Sequence, residues 1–289
     1  MILASGQEEM RDHVTPKLTV SGWMELETAL LPDQRICAIG DVHGMSANLA
    51  ALLEFFDRCP EGIRDNILVC LGDLVDRGPD SIGAVDMVMA TPSRAFTRVV
   101  PLMGNHEQMM RLALAGDESY HWECWLMNGA ISTMRNVADI EALMKGQQGI
   151  AAGLADALGP DRMDWLRSLH PHVTIGNLLF VHAGIRNGAP VDWFLGKPWD
   201  RLEDDHWAWI REGFLDSPVE VPDLVVVHGH TPVHRSPVER LDEERDLALH
   251  MPHDGKINLD GGSALSGCVT GAEFTAGRWR LATAVTGPG

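Results

Sequence analysis

The chain has 289 residues, 45% of them hydrophobic, and a formal net charge of −18. Such an excess of negative charge argues against a partner held by nucleic-acid phosphates, so we expect no nucleic-acid partner. No run of about 18 apolar residues is long enough to span a bilayer, and residues 1–20 contain no apolar signal-peptide core. We therefore expect a cytoplasmic protein without a membrane partner. Five widely spaced cysteines without a CxxC pair indicate neither a disulfide framework nor a zinc knot.

The length fits one α/β domain, which we expect over residues 21–289, after an N-terminal tail over 1–20. Short apolar runs that each end in a polar cluster predict buried strands. These runs are residues 36–39, 67–71, 99–103, 178–181, 224–227 and 257–259. Amphipathic spacing predicts a helix near residues 48–56, and Pro79 is placed at the first turn of a second helix over 80–89. Residues 108–170, rich in Ala, Met and Gly, predict a helical insertion.

Polar motifs follow most of the predicted strands. They are Gly-Asp-Val-His-Gly at 40–44, Gly-Asp-Leu-Val-Asp-Arg-Gly at 72–78, Gly-Asn-His-Glu at 104–107, Val-His-Ala-Gly at 181–184 and Gly-His-Thr-Pro at 229–232. The carboxyl ends of neighbouring strands meet at one crevice, where ligand sites form. Oxygen and imidazole ligands suit Mn²⁺, Fe or Zn²⁺. The motifs supply six oxygen or nitrogen side-chain ligands, which are too many for one open site. The pattern therefore favours two metal ions bridged by Asp73.

In their order and number, these motifs resemble those of the phosphoprotein-phosphatase family of calcineurin-like metallophosphoesterases. The resemblance implies an α/β metallophosphoesterase fold in which two mixed β-sheets pack as a sandwich flanked by helices. Residues 125–133 and 209–215 look more like the bacterial serine/threonine phosphatases than the related diadenosine tetraphosphatases. The implied activity is hydrolysis of phosphomonoesters, with phosphoserine and phosphothreonine in proteins as the leading substrates, by attack of a metal-bridging hydroxide.

The resemblance also implies a role for each matching residue. His106 would be the general acid, oriented by Asp76. The phosphate would be bound by Arg77, Arg211 and Asn105. Two divalent ions, expected to be Mn²⁺ with Fe or Zn²⁺ as alternatives, would be held by Asp41, His43, Asp73, Asn105, His182 and His230.

Two other functions stay open at this stage. The first is hydrolysis of a dinucleoside polyphosphate or nucleotide, which would use an aromatic or polar wall for the base. The second is a non-catalytic metal-bound regulator, which the intact His106 and Arg77 disfavour. One position departs from the family pattern: Met103 stands where the protein phosphatases commonly have Arg. We expect Met103 to present an apolar surface beside the phosphate.

Several further residues receive a structural interpretation. His228 is expected to lie behind the ligands, and His250 is a weaker site candidate. The turn at Asp260 is interpreted as a packing feature. The charge run at 242–245 predicts a solvated surface. The tryptophans near the motifs are expected to pack in the core or a lid.

Overall fold

The computed structural model describes residues 15–91, 95–116, 119–141, 149–234 and 248–286. The charge run at 242–245 and residues 1–14 of the expected tail lie outside this description. No helix within these ranges is long and apolar enough to cross a membrane.

The larger of two sheets has seven strands. They are β1 (Lys17–Val20), β2 (Met24–Glu25), β3 (Gln34–Ile39), β4 (Asp65–Cys70), β5 (Arg98–Pro101), β10 (Cys268–Thr275) and β11 (Arg278–Val285). The order is β1-β11-β10-β3-β4-β5, with β2 also paired to β11. Strands β3, β4 and β5 are parallel, and the other pairings are antiparallel. Residues 17–20 therefore belong to the sheet and not to a tail.

The smaller sheet has four strands in the order β6-β7-β8-β9. They are β6 (His172–Ile175), β7 (Leu178–Val181), β8 (Val225–His228) and β9 (Lys256–Asn258). Strands β7, β8 and β9 are parallel, whereas β6 is antiparallel to β7. Each sheet thus contains three parallel strands, and polar residues follow the carboxyl ends of these strands.

The two sheets share an apolar core whose residues alternate along each strand. Ile36 and Ile67 of the larger sheet belong to the same buried cluster as Phe180 and Val227 of the smaller sheet. The neighbouring residue Cys37 points to the opposite face and packs in a second cluster with helical residues. This period of two is what a strand buried on both faces requires.

Helices cover the outer faces of the sheets. They are α1 (Ser46–Phe56), α2 (Ser81–Ala90), α3 (Asn105–Ala115), α4 (Ser119–Met127), α5 (Ala130–Val137), α6 (Ile150–Ser168), α7 (Val191–Leu195) and α8 (Ser263–Ser266). Asp80 caps α2 by accepting a hydrogen bond from the backbone N–H of Gly83. Pro79 therefore precedes the cap, and its predicted place in the first turn is wrong.

The sequence-based expectation of an α/β fold with two mixed sheets and flanking helices is confirmed. The six predicted strands lie within two residues of β3, β4, β5, β7, β8 and β9. The helical stretch predicted from residue 108 begins three residues earlier, at Asn105. Strands β1, β2, β6, β10 and β11 were not predicted. The assignment of residues 21–289 to a single domain stays a prediction.

Candidate functional site

The ends of the parallel strands bring the predicted ligand residues into one buried group. Asp41 follows β3, Asp73 follows β4, and Asn105 opens α3 beyond β5. His182 and His230 follow β7 and β8 of the other sheet. The site therefore lies where the carboxyl ends of both sheets converge.

Two potential metal-binding clusters share Asp73. The first contains His43, Asp73 and His106, and the second contains Asp73, His182 and His230. Within each cluster the candidate ligand atoms lie within 4.8 Å of one another. The two carboxylate oxygens of Asp73 divide between the clusters: Oδ2 lies 3.5 Å from His43 Nε2 and Oδ1 lies 3.4 Å from His182 Nε2. This arrangement is suited to a carboxylate that bridges two ions.

Each of the three candidate histidine ligands is oriented by a backbone carbonyl. His43 Nδ1 donates to Val75 O at 2.9 Å, and His182 Nδ1 donates to Leu71 O at 2.9 Å. His230 is turned the other way, with Nε2 donating to Trp209 O at 3.1 Å. The opposite ring nitrogen of each thus faces the cluster. Such outer hydrogen bonds fix the tautomer of a metal-binding histidine.

The side-chain oxygen of Asn105 completes the second cluster. Asn105 Oδ1 lies 3.0 Å from His182 Nε2 and 2.9 Å from His230 Nδ1. Because these nitrogens present lone pairs, three acceptor atoms face one another, an arrangement that a cation would stabilise. Although burial opposes it, Asp73 holds the pKa of His182 above its ordinary value, so a proton and a cation compete for His182 Nε2. The residues present therefore fit a divalent ion.

Asp41 lies beside the clusters in contact with the carboxyl group of Asp260, a residue that the sequence assigned only to a packing turn. The backbone N–H of His230 donates to both oxygens of Asp41, at 3.1 and 3.2 Å. Burial, and then the neighbouring Asp260 and Asp73, raises the pKa of Asp41. Burial likewise raises the pKa of Asp260 to about 6. Cations bound nearby would favour the ionised carboxylates over their protonated forms.

Glu107 holds the strand-end loops together. Its buried carboxylate accepts hydrogen bonds from the backbone N–H groups of Asp73 at 2.8 Å, Leu74 at 2.7 Å and Gly104 at 3.0 Å. Gly104 is needed because a Cβ at this position would lie 2.1 Å from Asp73 Oδ1. The sequence motif contains Glu107, but its role as a clamp between two loops required the structure.

The backbone of the site is in an unusual conformation. Among the described residues, seven non-glycine residues have positive φ, and five of these are predicted site residues. The five are His43, Asp73, Asp76, Arg77 and His230. Positive φ is uncommon for such residues and gathers at functional sites, where surrounding contacts hold it.

Only one ring nitrogen of His106 has a hydrogen-bond partner among the described residues. His106 Nδ1 lies 2.7 Å from Asp76 Oδ2, whereas the buried Nε2 has no hydrogen-bond partner in the described part of the chain. Asp76 is held in turn by Trp125 Nε1 at 2.8 Å and by the Thr133 hydroxyl at 2.6 Å. The expected Asp76–His106 pair is thus present. Trp125 and Thr133 were predicted only as part of a similar segment, and their contacts with Asp76 were missed.

The predicted phosphate-binding arginines lie next to different histidines of the site. Arg77 Nη1 is 3.0 Å from His43 Nε2. Arg211 Nη2 donates to the backbone oxygen of His230 at 3.4 Å. The structure therefore places one guanidinium beside each candidate metal cluster.

The two histidines of uncertain role lie outside the metal clusters. His228 is buried with its ring against Phe214, at 5.0 Å between centroids. His250 Nδ1 donates to Asn258 O at 2.5 Å. Neither belongs to a cluster of candidate ligands among the described residues.

Two cavities adjoin the site on the surface of the segment that carries Arg211. One, of about 410 Å³, is lined by Arg186, Asp204, Asp205, Trp209, Ile210, Arg211 and Glu212. The other, of about 260 Å³, is lined by Tyr120, Cys124, Leu202, Glu203, Asp204 and Trp209. Trp209 and Asp204 border both cavities.

The model of the calcineurin-like phosphoesterase family matches residues 34–259. The chain belongs to this family. The family uses a binuclear divalent metal centre, and the two clusters that share Asp73 fit such a centre.

Two curated relatives with different names resemble the chain. Serine/threonine-protein phosphatase 1 of Salmonella typhimurium is 33% identical over 114 residues, which cover 38% of this chain and 47% of that protein. The chain thus spans about half the length of this relative. A symmetrical bis(5'-nucleosyl)-tetraphosphatase of Stutzerimonas stutzeri is 30% identical over 235 residues, covering 77% of this chain and 70% of that protein.

Solved structures agree on the fold. A cold-active protein tyrosine phosphatase superposes with a TM-score of 0.54 at 18% identity, covering 87% of this chain and 81% of that one. A putative diadenosine tetraphosphatase superposes with a TM-score of 0.50 at 20% identity, covering 91% of this chain and 98% of that one. At these identities the likeness shows the fold alone.

Met103 does not present a surface beside the phosphate. Its side chain is 1% exposed and packs in the apolar cluster beneath the helices. The expectation that Met103 presents an apolar surface beside the phosphate is therefore wrong.

Met103→Arg should instead destabilise the protein, because it places an unpaired cation in an apolar cluster. We expect the free energy of unfolding of the metal-free protein to fall by about 3–5 kcal/mol, measured by urea denaturation. Met103→Leu, which conserves volume, should cost less than about 1.5 kcal/mol. A stable Met103→Arg variant with a lower KM for phosphate monoesters would show that the side chain reaches the site.

Proposed function

We propose that this protein is a metal-dependent phosphomonoesterase that acts on phosphoserine and phosphothreonine in proteins. The observation that carries the proposal is the position of His106, which belongs to the first cluster of candidate ligands and shares Asp73 as a neighbour with the second. Its Nδ1 is held by Asp76, and its buried Nε2 has no partner in the described residues. A proton on that nitrogen is placed to be given to a group bound at the clusters.

In this proposal Asp41 and His43 would hold one ion, and Asn105, His182 and His230 would hold a second, as their converging acceptor atoms support. Asp73 would contribute to both sites, since it belongs to both clusters. Two bound ions would supply positive charge to the phosphoryl oxygens and lower the pKa of a coordinated water to roughly 7. We expect Mn²⁺, with Fe or Zn²⁺ as alternatives.

The remaining residues bind the phosphate and the leaving group. Arg77 and Arg211 lie on two sides of the site and are suited to bidentate contacts with phosphate oxygens. The amide of Asn105 also faces this space. His106 Nε2 gives its proton to the leaving oxygen, while Asp76 keeps the ring oriented through its contact with Nδ1.

The charge beside the site supports a phosphoprotein over a dinucleoside polyphosphate. The larger cavity is lined by Asp204, Asp205 and Glu212 against Arg186 and Arg211. The lining of the smaller cavity includes Glu203 and, among the described residues, no Lys or Arg side chain. A nucleotide leaving group carries several negative charges and would be repelled by this lining, whereas a serine or threonine hydroxyl is neutral. A small phosphoester remains a second acceptable partner.

Hydrolysis of a dinucleoside polyphosphate or nucleotide is kept as the alternative function, because Trp209 offers an aromatic surface that borders both cavities. The name of the Stutzerimonas relative supports the same alternative. Cytoplasmic location and the absence of nucleic-acid and membrane partners remain expectations of the proposal.

Metal removal gives the first test of the proposal. A chelator should abolish hydrolysis of an aryl phosphate, and Mn²⁺ should restore it better than Mg²⁺. Asp73→Asn should lower the occupancy of both ions together, measured by metal analysis after gel filtration, because Asp73 contacts both clusters. Asp164→Asn, on an exposed helical face, serves as the control. Full turnover in metal-free protein would refute the metal mechanism.

A comparison of leaving groups tests the role of His106. His106→Ala should lower kcat for an alkyl phosphate by about 10²–10⁴-fold, and by much less for p-nitrophenyl phosphate, which needs little protonation. Metal content should stay at the wild-type value. His253→Ala, whose side chain is 83% exposed, is the matched control. Equal losses for both substrates would assign His106 an orienting role and no proton transfer.

A substrate panel distinguishes the two candidate functions. Purified enzyme with Mn²⁺ should show a higher kcat/KM for phosphoserine and phosphothreonine peptides than for diadenosine tetraphosphate. In the double variant Asp204→Asn/Glu212→Gln, kcat/KM for the tetraphosphate should rise relative to that for the phosphopeptides, because two negative charges are removed from the cavity walls. A wild-type preference for the tetraphosphate would make the alternative function the correct one.

A further inference from the structure

The carbonyl that orients His230 differs in its setting from the two that orient His43 and His182. Leu71 directly follows β4, and Val75 lies in the loop that Glu107 clamps. Trp209, which accepts from His230 Nε2, belongs to residues 196–224, and this segment contains neither a helix nor a strand. The orientation of His230 therefore depends on whatever holds Trp209 in place.

The side chain of Trp209 is held by Gln108. Trp209 Nε1 donates to Gln108 Oε1 at 2.5 Å, across 101 positions of the sequence. Gln108 is fully buried and lies on α3, three residues after Asn105. The indole thus connects the irregular segment to the helix that carries Asn105 and His106.

The amide of Gln108 can adopt only one orientation in this setting. Its nitrogen donates to the backbone oxygens of Trp199 and Arg201, the latter at 2.9 Å. Its oxygen accepts from Trp209. A flipped amide would place its oxygen against two carbonyls and its N–H groups against the indole N–H, so all three bonds would be lost. The three contacts fix the amide and, through it, the indole.

We propose that Gln108 is a positioning residue that fixes Trp209 and thereby holds His230 in the tautomer and position needed to bind the second ion. The chain of contacts runs from the Gln108 amide to the Trp209 indole, then from the Trp209 carbonyl to His230 Nε2, which leaves His230 Nδ1 facing Asn105 Oδ1. This inference rests on the proposed role of His230 as a metal ligand. It adds a residue that makes no contact with the ion or the phosphate.

Other contacts restrain the backbone of Trp209 but do not replace this link. Trp209 N donates to His206 O at 2.9 Å, which closes a local turn within the same segment. His230 also has a second restraint, because its backbone N–H donates to Asp41. Loss of the Gln108 contact should therefore make the imidazole ring of His230 more mobile while its backbone stays in place. The affinity of the second site for its ion should fall, but the site should not be lost.

Mn²⁺ binding to the full-length protein tests the proposal without relying on turnover. We expect Gln108→Met, which keeps the length of the side chain and removes the amide, to weaken one of the two Mn²⁺ sites by about tenfold in a binding titration and to leave the other unchanged. The signal of a coupled Mn²⁺ pair in electron paramagnetic resonance should appear at correspondingly higher Mn²⁺. Trp209→Phe, which removes only the indole N–H donor and part of the ring, should produce the same shift.

A double variant and a matched control complete the design. Gln108→Met/Trp209→Phe should weaken Mn²⁺ binding no more than either single change, because each single change already removes the hydrogen bond between Gln108 and Trp209. Gln34→Met is the control, since the Gln34 amide also uses both ends, accepting from Leu31 N at 2.9 Å and donating to Asp65 at 3.0 Å, at the start of β3 away from the site.

The outcomes separate this inference from the proposed function. Wild-type protein that binds no Mn²⁺ would refute the proposed metal centre itself. Wild-type affinity for both ions in Gln108→Met, or additive effects in the double variant, would overturn the positioning role alone. If Gln108→Met does not fold, unchanged Mn²⁺ affinity in folded Trp209→Phe would overturn it equally.

Discussion

Three carboxyl groups, Asp41, Asp73 and Asp260, are buried together at the ends of strands from both sheets. Burial, and then the neighbouring carboxylates, raises the pKa of Asp41 and Asp260, so their ionised forms are unfavourable without nearby positive charge. These carboxyl groups lie close together because the parallel strands of both sheets end at one edge. Two bound cations would stabilise the ionised forms of these buried carboxylates, which could then act as metal ligands.

Holding such groups in place requires backbone conformations that the local sequence does not favour. Asp73, Asp76 and Arg77 all have positive φ without being glycine. The carboxylate of Glu107 stabilises this conformation by accepting hydrogen bonds from consecutive backbone N–H groups. The Thr133 hydroxyl likewise accepts a hydrogen bond from the backbone N–H of Asp76. The clamp and the residues it holds come from different elements, so the unfavourable loop conformation is stabilised by tertiary contacts and not by its own residues.

The sequence predicts the strands that deliver the site because each apolar run ends in a polar motif. The hairpin of β10 and β11 was missed because neither strand is followed by such a motif, although the tight turn at Gly277 marks it. Met103 was misplaced for a different reason. Leu102 and Met103 lie in separate buried clusters, so a strand end covered on both faces gives no periodic signal of which side chain meets the pocket. Contacts such as Gln108 with Trp209 join distant positions and leave no local pattern.

The difference between the two candidate substrates must lie outside the metal centre. The clusters around Asp73 suit any phosphate ester, and relatives with both kinds of name match this chain. The cavities beside the centre are lined largely by residues of the segment 196–224, where Trp209 borders both cavities and acidic side chains outnumber basic ones. Because loops tolerate substitution more readily than buried strands, specificity can change there while the centre stays constant. Gln108 connects the two parts: the same side chain that holds Trp209 is linked through it to His230, a candidate ligand of the centre, so in our proposal changes in specificity at Trp209 are constrained by metal binding.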